Sequence, residues 1–144
     1  MDHLDVNKLL LALENDKNES LLKEDIQSIT RVKTDMLNSL HLSKKETQTL
    51  HEKLSQYRFV DELPDMKYGS YIKWIRLTDP NNIKLTNGGI VCETKVGPNG
   101  IIAVCRNKMH MYFQVNMTES LIFRKLTEQE LVLLSALDFI NNSK

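Results

Sequence analysis

The sequence predicts an α+β protein in which an N-terminal helical region precedes a small SH3-like antiparallel β-barrel and a C-terminal helix. Three observations carry this prediction. Apolar residues recur at helical spacing over residues 4–57, a region without glycine or proline. After "RFVDELPDMKYGS", short apolar stretches alternate with the turn sequences "DPNN", "TNGG", "GPNG" and "NMTES". The final segment, "LTEQELVLLSALDFINN", returns to helical spacing.

Three helices are predicted in the N-terminal region. The first ends at the polar run "ENDKNES", and the second carries a longer apolar stripe. The third begins at "SKKE", where Ser43 and Glu46 form a capping box. The apolar faces of the three helices are, in order, Val6, Leu9, Leu10 and Leu13; Leu22, Ile26, Ile29, Val32, Met36, Leu37 and Leu40; and Leu50, Leu54 and Tyr57.

The second helix also suggests association with another protein. Five of its apolar residues follow spacings of three, four and seven, which approximate a heptad seam, although Lys33 occupies one seam position. The alternative is that the three helices bury these residues against one another within one chain. We expect a protein partner or a homo-oligomer at these helices, and Tyr112 is a further candidate contact. The candidate partner-binding residues are Leu22, Ile26, Ile29, Met36, Leu40 and Tyr112.

Five short strands are predicted in the second half of the chain. A flat sheet of this size leaves exposed edges and little core, so a closed barrel is favoured, with an OB-like barrel or a plain meander as alternatives. The predicted domains are a helical region at 1–57, a linker at 58–67 and the barrel with its C-terminal helix at 68–144. The strands are Tyr71 to Leu77, Gly89 to Val96, Ile101 to Arg106, Met109 to Asn116 and Leu121 to Lys125.

The hairpin "GGIVCETKVGPNGIIAVC" contains both cysteines of the chain. The sequence "GPNG" suits a type I turn, which predicts that Val96 faces Ile101, Thr94 faces Ala103 and Cys92 faces Cys105. A zinc site needs about four ligands, and the only further candidate ligand near the two cysteines in sequence is His110. No feature that lowers a thiol pKa is present, so buried core thiols are favoured over a metal site or a functional disulfide.

The C-terminal segment carries the strongest local signal. Thr127 and Glu130 form a second capping box, and Leu126 and Leu131 form a hydrophobic staple across it. These features predict a helix over residues 128–141. Its apolar face is broad enough to require burial against the barrel, the N-terminal helices or another subunit.

Charge is balanced over the chain but not within the barrel region. Lysine plus arginine and aspartate plus glutamate number 19 each, whereas residues 67–125 hold nine basic and three acidic side chains. With Tyr71, Trp74 and Tyr112 nearby, these charges make nucleic-acid binding the alternative function. The candidate nucleic-acid-binding residues are Lys73, Arg76, Arg106, Lys108 and Arg124.

The remaining patterns argue against other classes of protein. No apolar run approaches the roughly 18 residues that span a bilayer, and the start of the chain lacks a secretory signal. Two cysteines do not make a disulfide framework, which favours the cytoplasm. The four histidines are scattered, and the carboxylates of "DELPD" fall in the predicted linker. We therefore expect no enzyme, cofactor or metal, but a structural or protein-interaction module.

The stretches "YGSYIKWIRL", "LTNGGIV", "MYFQVN" and "SLIFRKL" carry a family resemblance. Together they resemble a pattern of small, uncharacterised β-rich proteins of nucleocytoplasmic large DNA viruses, over residues 68–126. The resemblance implies a virion-associated component in the host cytoplasm or the virion. It rests on structural motifs and carries over no functional residue.

Overall fold

The structure, a computed structural model, describes residues 6–14 and 26–142. The elements are helices α1 (Val6–Glu14), α2 (Ile26–Asn38), α3 (Lys44–Lys53) and α4 (Glu128–Asn142), strands β1 (Tyr57–Val60), β2 (Tyr71–Arg76), β3 (Gly89–Gly97), β4 (Gly100–Arg106), β5 (Tyr112–Asn116) and β6 (Ser120–Lys125), and a 3₁₀ helix at Leu63–Asp65. The described residues divide into two compact units. The first combines α1, residues 26–35 of α2 and the segment from Leu126 through α4, and the second is Met36–Lys125.

The strands form one open antiparallel sheet in the order β1-β6-β2-β3-β4-β5, so the predicted five-stranded SH3-like barrel is wrong. The reason lies in β6, whose two edges are both occupied. Strand β2 pairs with it over Ile72–Arg76 on one side. On the other side, β1 pairs with it over Tyr57–Val60. No edge of β6 is left for β5, which stays at the border of the sheet.

The sixth strand, β1, is absent from the sequence prediction. It begins at Tyr57, which the helical pattern assigns to the third helix, and continues into the predicted linker. Strand β1 pairs with β6, and the rings of Phe59 and Phe123 meet edge to face at 5.8 Å. Only three residues separate the end of α3 from Tyr57, and none of them is glycine or proline. The sequence therefore contains no turn signal where the chain changes from helix to strand.

The register of the β3–β4 hairpin is predicted correctly only near its turn. Val96 faces Ile101 and Thr94 faces Ala103, as expected. A bulge between Val91 and Glu93 then shifts the pairing, so that Val91 and not Cys92 lies opposite Cys105. Both cysteines are free, and Val91 replaces Cys92 in the core. The predicted pairing of Cys92 with Cys105 is wrong because one extra residue reverses the alternation.

The sheet of the second unit has a core on each face. One face buries Ile72, Trp74, Val91, Ala103, Cys105, Val115 and Ile122 together with Val60 and Met66. On the other face, Leu50 and Leu54 at the end of α3, with Leu37, cover Ile75, Leu121 and Phe123. The sequence predicts a cover for the outer face of β2, because that strand is apolar on both sides, and this is confirmed.

In the first unit, α4 packs with the other helices through a small core of Ile29, Leu126 and Leu134, to which Leu131 adds. Burial with the N-terminal helices is one of the alternatives that the sequence leaves open. The predicted capping box is confirmed: the Thr127 N–H donates to Glu130 Oε1 at 2.9 Å, and the Glu130 N–H donates to Thr127 Oγ1 at 3.1 Å. An ion pair of 2.5 Å joins Lys8 of α1 to Glu128.

Candidate functional site

The strongest candidate for a binding site is an open cleft of about 690 Å³ in the second unit. We call it the lysine–tyrosine cleft. Three lysines and two tyrosines define it, and none of the described residues that line it is acidic. Asparagine and glycine backbone and one methionine complete the walls. The defining residues are Tyr57, Tyr71, Lys73, Lys108 and Lys125, and the others are Asn87, Gly88, Asn107 and Met109.

Strand pairing explains why side chains so distant in sequence meet. Tyr57 of β1 lies directly opposite Lys125 of β6. On the other side of β6, Arg124 pairs with Ile72, which places Tyr71 of β2 at the level of Lys125. Side chains of neighbouring residues alternate between the faces of a sheet, so Tyr57, Lys125 and Tyr71 share one face. Lys73, two residues after Tyr71, shares it as well.

Aromatic and cationic groups are in direct contact inside the cleft. The Lys73 Nζ lies over the Tyr57 ring, 5.5 Å from its centroid, which is the geometry of a cation–π interaction. Burial raises the pKa of the Tyr57 hydroxyl, and the neighbouring Tyr71 raises it further. The phenol therefore stays protonated and adds no negative charge to the cleft across the physiological range.

Two loops form the rest of the cleft. The Tyr71 hydroxyl donates a hydrogen bond of 2.5 Å to the Asn87 carbonyl, which ties the ring to the segment before β3. In the β4–β5 connection, Asn107 Oδ1 accepts from the backbone N–H groups of Met109 at 2.9 Å and Met111 at 3.0 Å. This turn, which also holds His110 at a φ of 61°, fixes the backbone that presents Lys108.

A row of side chains continues from the cleft across the same face of the sheet. Tyr71 lies opposite Ile90, Ile90 opposite Arg106, and Arg106 opposite Tyr112. Tyr112 is 64% exposed and Ile90 39% exposed. Strands lie about 4.8 Å apart, so the row extends the aromatic and cationic surface by roughly 14 Å beyond Tyr71.

The structure brings together only part of the predicted nucleic-acid-binding set. Lys73 and Lys108 line the cleft, and Arg106 lies in the row beside it. Arg76 lines a second cavity, described below. Arg124 is fully buried, on the face opposite to Lys125, and no nucleic acid reaches it there. Trp74, considered as a stacking residue, is 6% exposed and belongs to the core.

The predicted partner-binding residues are dispersed. Leu22 lies outside the described residues. Ile29 is buried in the core of the first unit, while Met36 and Leu40 pack against the core of Leu37 and Leu54 in the second. Ile26 is 38% exposed, and Tyr112 is at the surface of β5.

Lys125 and Tyr57 are the site residues that sequence reasoning misses. Lys125 is one of the nine basic residues of the barrel region but not one of the selected candidates, and the helical stripe claims Tyr57. The sequence does contain a signal for Lys125. Neighbouring residues in the strand "SLIFRK" face opposite sides of the sheet, so Arg124 and Lys125 cannot both lie on the same face.

Within residues 6–14 and 26–142, no three histidine, cysteine, aspartate or glutamate side chains are close enough to hold a metal ion. No helix in the same ranges has the length and apolar character needed to cross a membrane. Comparison with protein-family models, curated proteins and solved structures finds no match to this chain. The viral resemblance and the absence of enzymatic activity therefore stay predictions.

Proposed function

We propose that this protein is a non-enzymatic module that binds single-stranded nucleic acid in the lysine–tyrosine cleft. The observation that carries the proposal is the convergence of Lys73, Lys108 and Lys125 with Tyr57 and Tyr71, without a lining carboxylate among the described residues. Lysines supply the contacts to backbone phosphates, and the half-buried Tyr71 and the exposed Tyr112 beside the cleft supply stacking surfaces for bases. Tyr57 is buried in the core, and its ring supports Lys73 rather than a base.

The geometry favours a single strand over a duplex. Stacking on a protein ring requires a base that is not already stacked between two others in a helix. The cleft has a volume of about 690 Å³, and the Ile90–Arg106–Tyr112 row provides a path for nucleotides beyond it. Tyr112, which is exposed, is suited to stacking on an unpaired base.

Fluorescence anisotropy with a labelled twelve-nucleotide DNA or RNA tests the proposal. We expect binding to both single strands at about 50 mM salt, where phosphate contacts are strongest, and weaker binding to a duplex of the same length. Lys108→Gln and Lys125→Gln should each weaken the affinity about tenfold, as expected for one charge-assisted hydrogen bond worth roughly 1.5 kcal/mol.

Lys84→Gln is the matched control, because Lys84 carries the same charge and lies outside the cleft. It should leave the affinity unchanged. Equal losses in all three variants would show a diffuse electrostatic attraction and contradict a site in the cleft. Absence of binding at low salt would refute nucleic acid as the ligand, and the same variants could then be tested with inositol hexakisphosphate as another polyanion.

A second candidate function, association with a protein through the helices, is favoured by a separate observation. The first unit leaves several large apolar side chains at the surface, among them Leu11 at 59% and Phe139 at 62% exposure. Exposed apolar side chains gathered in one unit are typical of protein interfaces. The exposed set in α1, α2 and α4 is Leu10, Leu11, Leu13, Ile26, Val32, Phe139 and Ile140.

Light scattering coupled to size exclusion tests self-association. At about 100 μM protein we expect a mass above that of the monomer, since weak interfaces are populated only near their dissociation constant. Leu11→Ser and Phe139→Ser should return the mass to that of one chain without unfolding it, because both side chains are exposed. A monomer at this concentration would rule out the homo-oligomer and leave a different protein as the partner.

A further inference from the structure

We propose that the free edge of β5 is a second binding site, which takes an extended peptide as an added strand. The site is a cavity of about 460 Å³ that we call the β5 slot. Four consecutive residues of β5, Phe113 to Asn116, form one wall. The opposite wall consists of Trp74 and Arg76 of β2 and the segment Thr86–Gly88.

The slot runs along the border of the open sheet, at the edge of β5. It extends along β5 from Asn107 at one end to Glu119 and Ser120 at the other. A strand of five residues at about 3.3 Å per residue is roughly 16 Å long, the length of β5 itself. One added strand of five residues would therefore match the whole edge of β5.

The backbone of β5 offers the hydrogen bonds that such a strand needs. The Asn107 N–H donates to the Met111 carbonyl at 3.0 Å, and the Met117 N–H donates to the Ile101 carbonyl at 2.9 Å. Along β5, backbone groups point alternately at β4 and away from it, and these two bonds show which residues do which. The odd-numbered residues of β5 direct their N–H and C=O groups at β4. Tyr112 and Gln114 direct their N–H and C=O groups outward, at the free edge of the sheet.

The chemistry of the walls indicates which ligand fits. Among the described residues that line the slot, Arg76 and Glu119 are the charged ones, and their charges balance. The lysine–tyrosine cleft, by contrast, carries three positive charges. A neutral slot does not attract a polyanion, whereas it suits the uncharged backbone of a peptide. Side chains opposite Phe113 and Val115 would face Trp74, so alternate residues of the peptide should be apolar.

Amide hydrogen exchange, measured by NMR on the full chain, tests the proposal. The probe is an acetylated and amidated seven-residue peptide of alternating valine and threonine. At a peptide concentration near ten times the dissociation constant, we expect exchange at Tyr112 and Gln114 to slow about tenfold. Phe113 and Val115 already donate to β4, so their exchange should change little. The same peptide with a central proline cannot pair and should have no effect.

A matched pair of variants locates the interaction. Gln114→Pro removes the outward N–H at a position that β4 does not use, and proline is tolerated on edge strands. Gln114→Ala keeps that N–H. We expect Gln114→Ala to bind the peptide like the natural protein, and Gln114→Pro to lose protection at Tyr112. Lys125→Gln, which alters only the cleft, should leave peptide binding intact, so this proposal and the nucleic-acid proposal fail independently.

Three results would overturn the inference. The first is no slowing of exchange at Tyr112 or Gln114 with about 5 mM peptide, which exceeds the concentrations at which even millimolar sites fill. The second is equal slowing in Gln114→Pro, which would place the peptide elsewhere. The third is slowing that depends on protein concentration without any peptide, which would make the edge an interface between two copies of this chain.

Discussion

Gly88 is one of three residues that both binding surfaces share, with Asn87 and Asn107, since all three line the lysine–tyrosine cleft and the β5 slot. Its φ is +92°, in the region that favours glycine, and a Cβ atom there would lie 2.5 Å from the Ile72 carbonyl oxygen. The β2 backbone and the glycine must therefore approach closely for both surfaces to form. Any other residue type would have a Cβ atom that strains this φ and clashes with the Ile72 carbonyl oxygen.

We predict that Gly88→Ala lowers the free energy of unfolding by more than about 2 kcal/mol, the sum of a strained φ and a backbone clash. Gly69→Ala is the control, because Gly69 has a φ of +80° but nothing within 4 Å of the position that a methyl group would take. The control should lose only about 1 kcal/mol. Urea unfolding measures both, and equal losses would show that the contact with Ile72 does not matter.

The thiol of Cys105 gives a prediction about pH. Burial, with a smaller effect of Cys92, raises its pKa from 9.0 to about 12. Between these values the unfolded chain releases a proton that the folded chain keeps, so this contribution to stability is complete below about pH 9 and falls as pH rises towards 12. From about pH 8 to 10.5, the natural protein should lose about 2 kcal/mol more than Cys105→Ala in urea unfolding.

Other groups titrate in the same range, but they are present in both proteins, so the difference between the two pH profiles isolates Cys105. Parallel profiles would contradict the raised pKa. A chemical readout gives the same information: at about pH 8 an aromatic disulfide reagent should modify the half-buried Cys92 in the folded protein, and Cys105 only after denaturant is added.

At the scale of elements, local signals predict the structure well and long-range pairing does not follow from them. The helix starts at Ser43 and Thr127 are predicted because each capping box lies within four residues of sequence. Strand β1 is missed because it pairs with the distant β6, and the bulge at Cys92 is missed because apolar alternation does not show where one extra residue enters a hairpin. The cleft is half predicted: Lys73 and Lys108 are among the candidates, but their neighbour Lys125 requires the register of β6.

The cap of α3 can be tested by substitution. The Glu46 N–H donates to Ser43 Oγ at 3.1 Å, and the Ser43 hydroxyl donates to Glu46 Oε1 at 3.0 Å. Ser43→Ala should lower the free energy of unfolding by about 1 kcal/mol. Ser43→Asp retains an acceptor at the cap and should lose only a few tenths. Urea unfolding measures both variants, and losses of the same size would show that the cap contributes little.

At the scale of the whole molecule, the chain is neutral, with 19 basic and 19 acidic side chains, so no overall field attracts nucleic acid. Whatever binding occurs must then reflect a local site and respond to salt according to the few phosphates that the site contacts. Three lysines line the cleft. For a single strand, each neutralised phosphate contributes about −0.7 to the slope of log affinity against log salt concentration.

We therefore predict a slope of about −2 for the natural protein and about −1.4 for Lys125→Gln, measured by anisotropy from roughly 50 to 300 mM salt. Lys84→Gln, which removes the same charge elsewhere, should keep the slope of the natural protein because Lys84 does not line the cleft. A slope of about −5 whose magnitude decreases in both variants would mean that many dispersed lysines contact the strand. That result would contradict a binding site in the cleft. If the magnitude of the slope decreases only in Lys125→Gln, one phosphate contact is assigned to the Lys125 side chain at the end of β6.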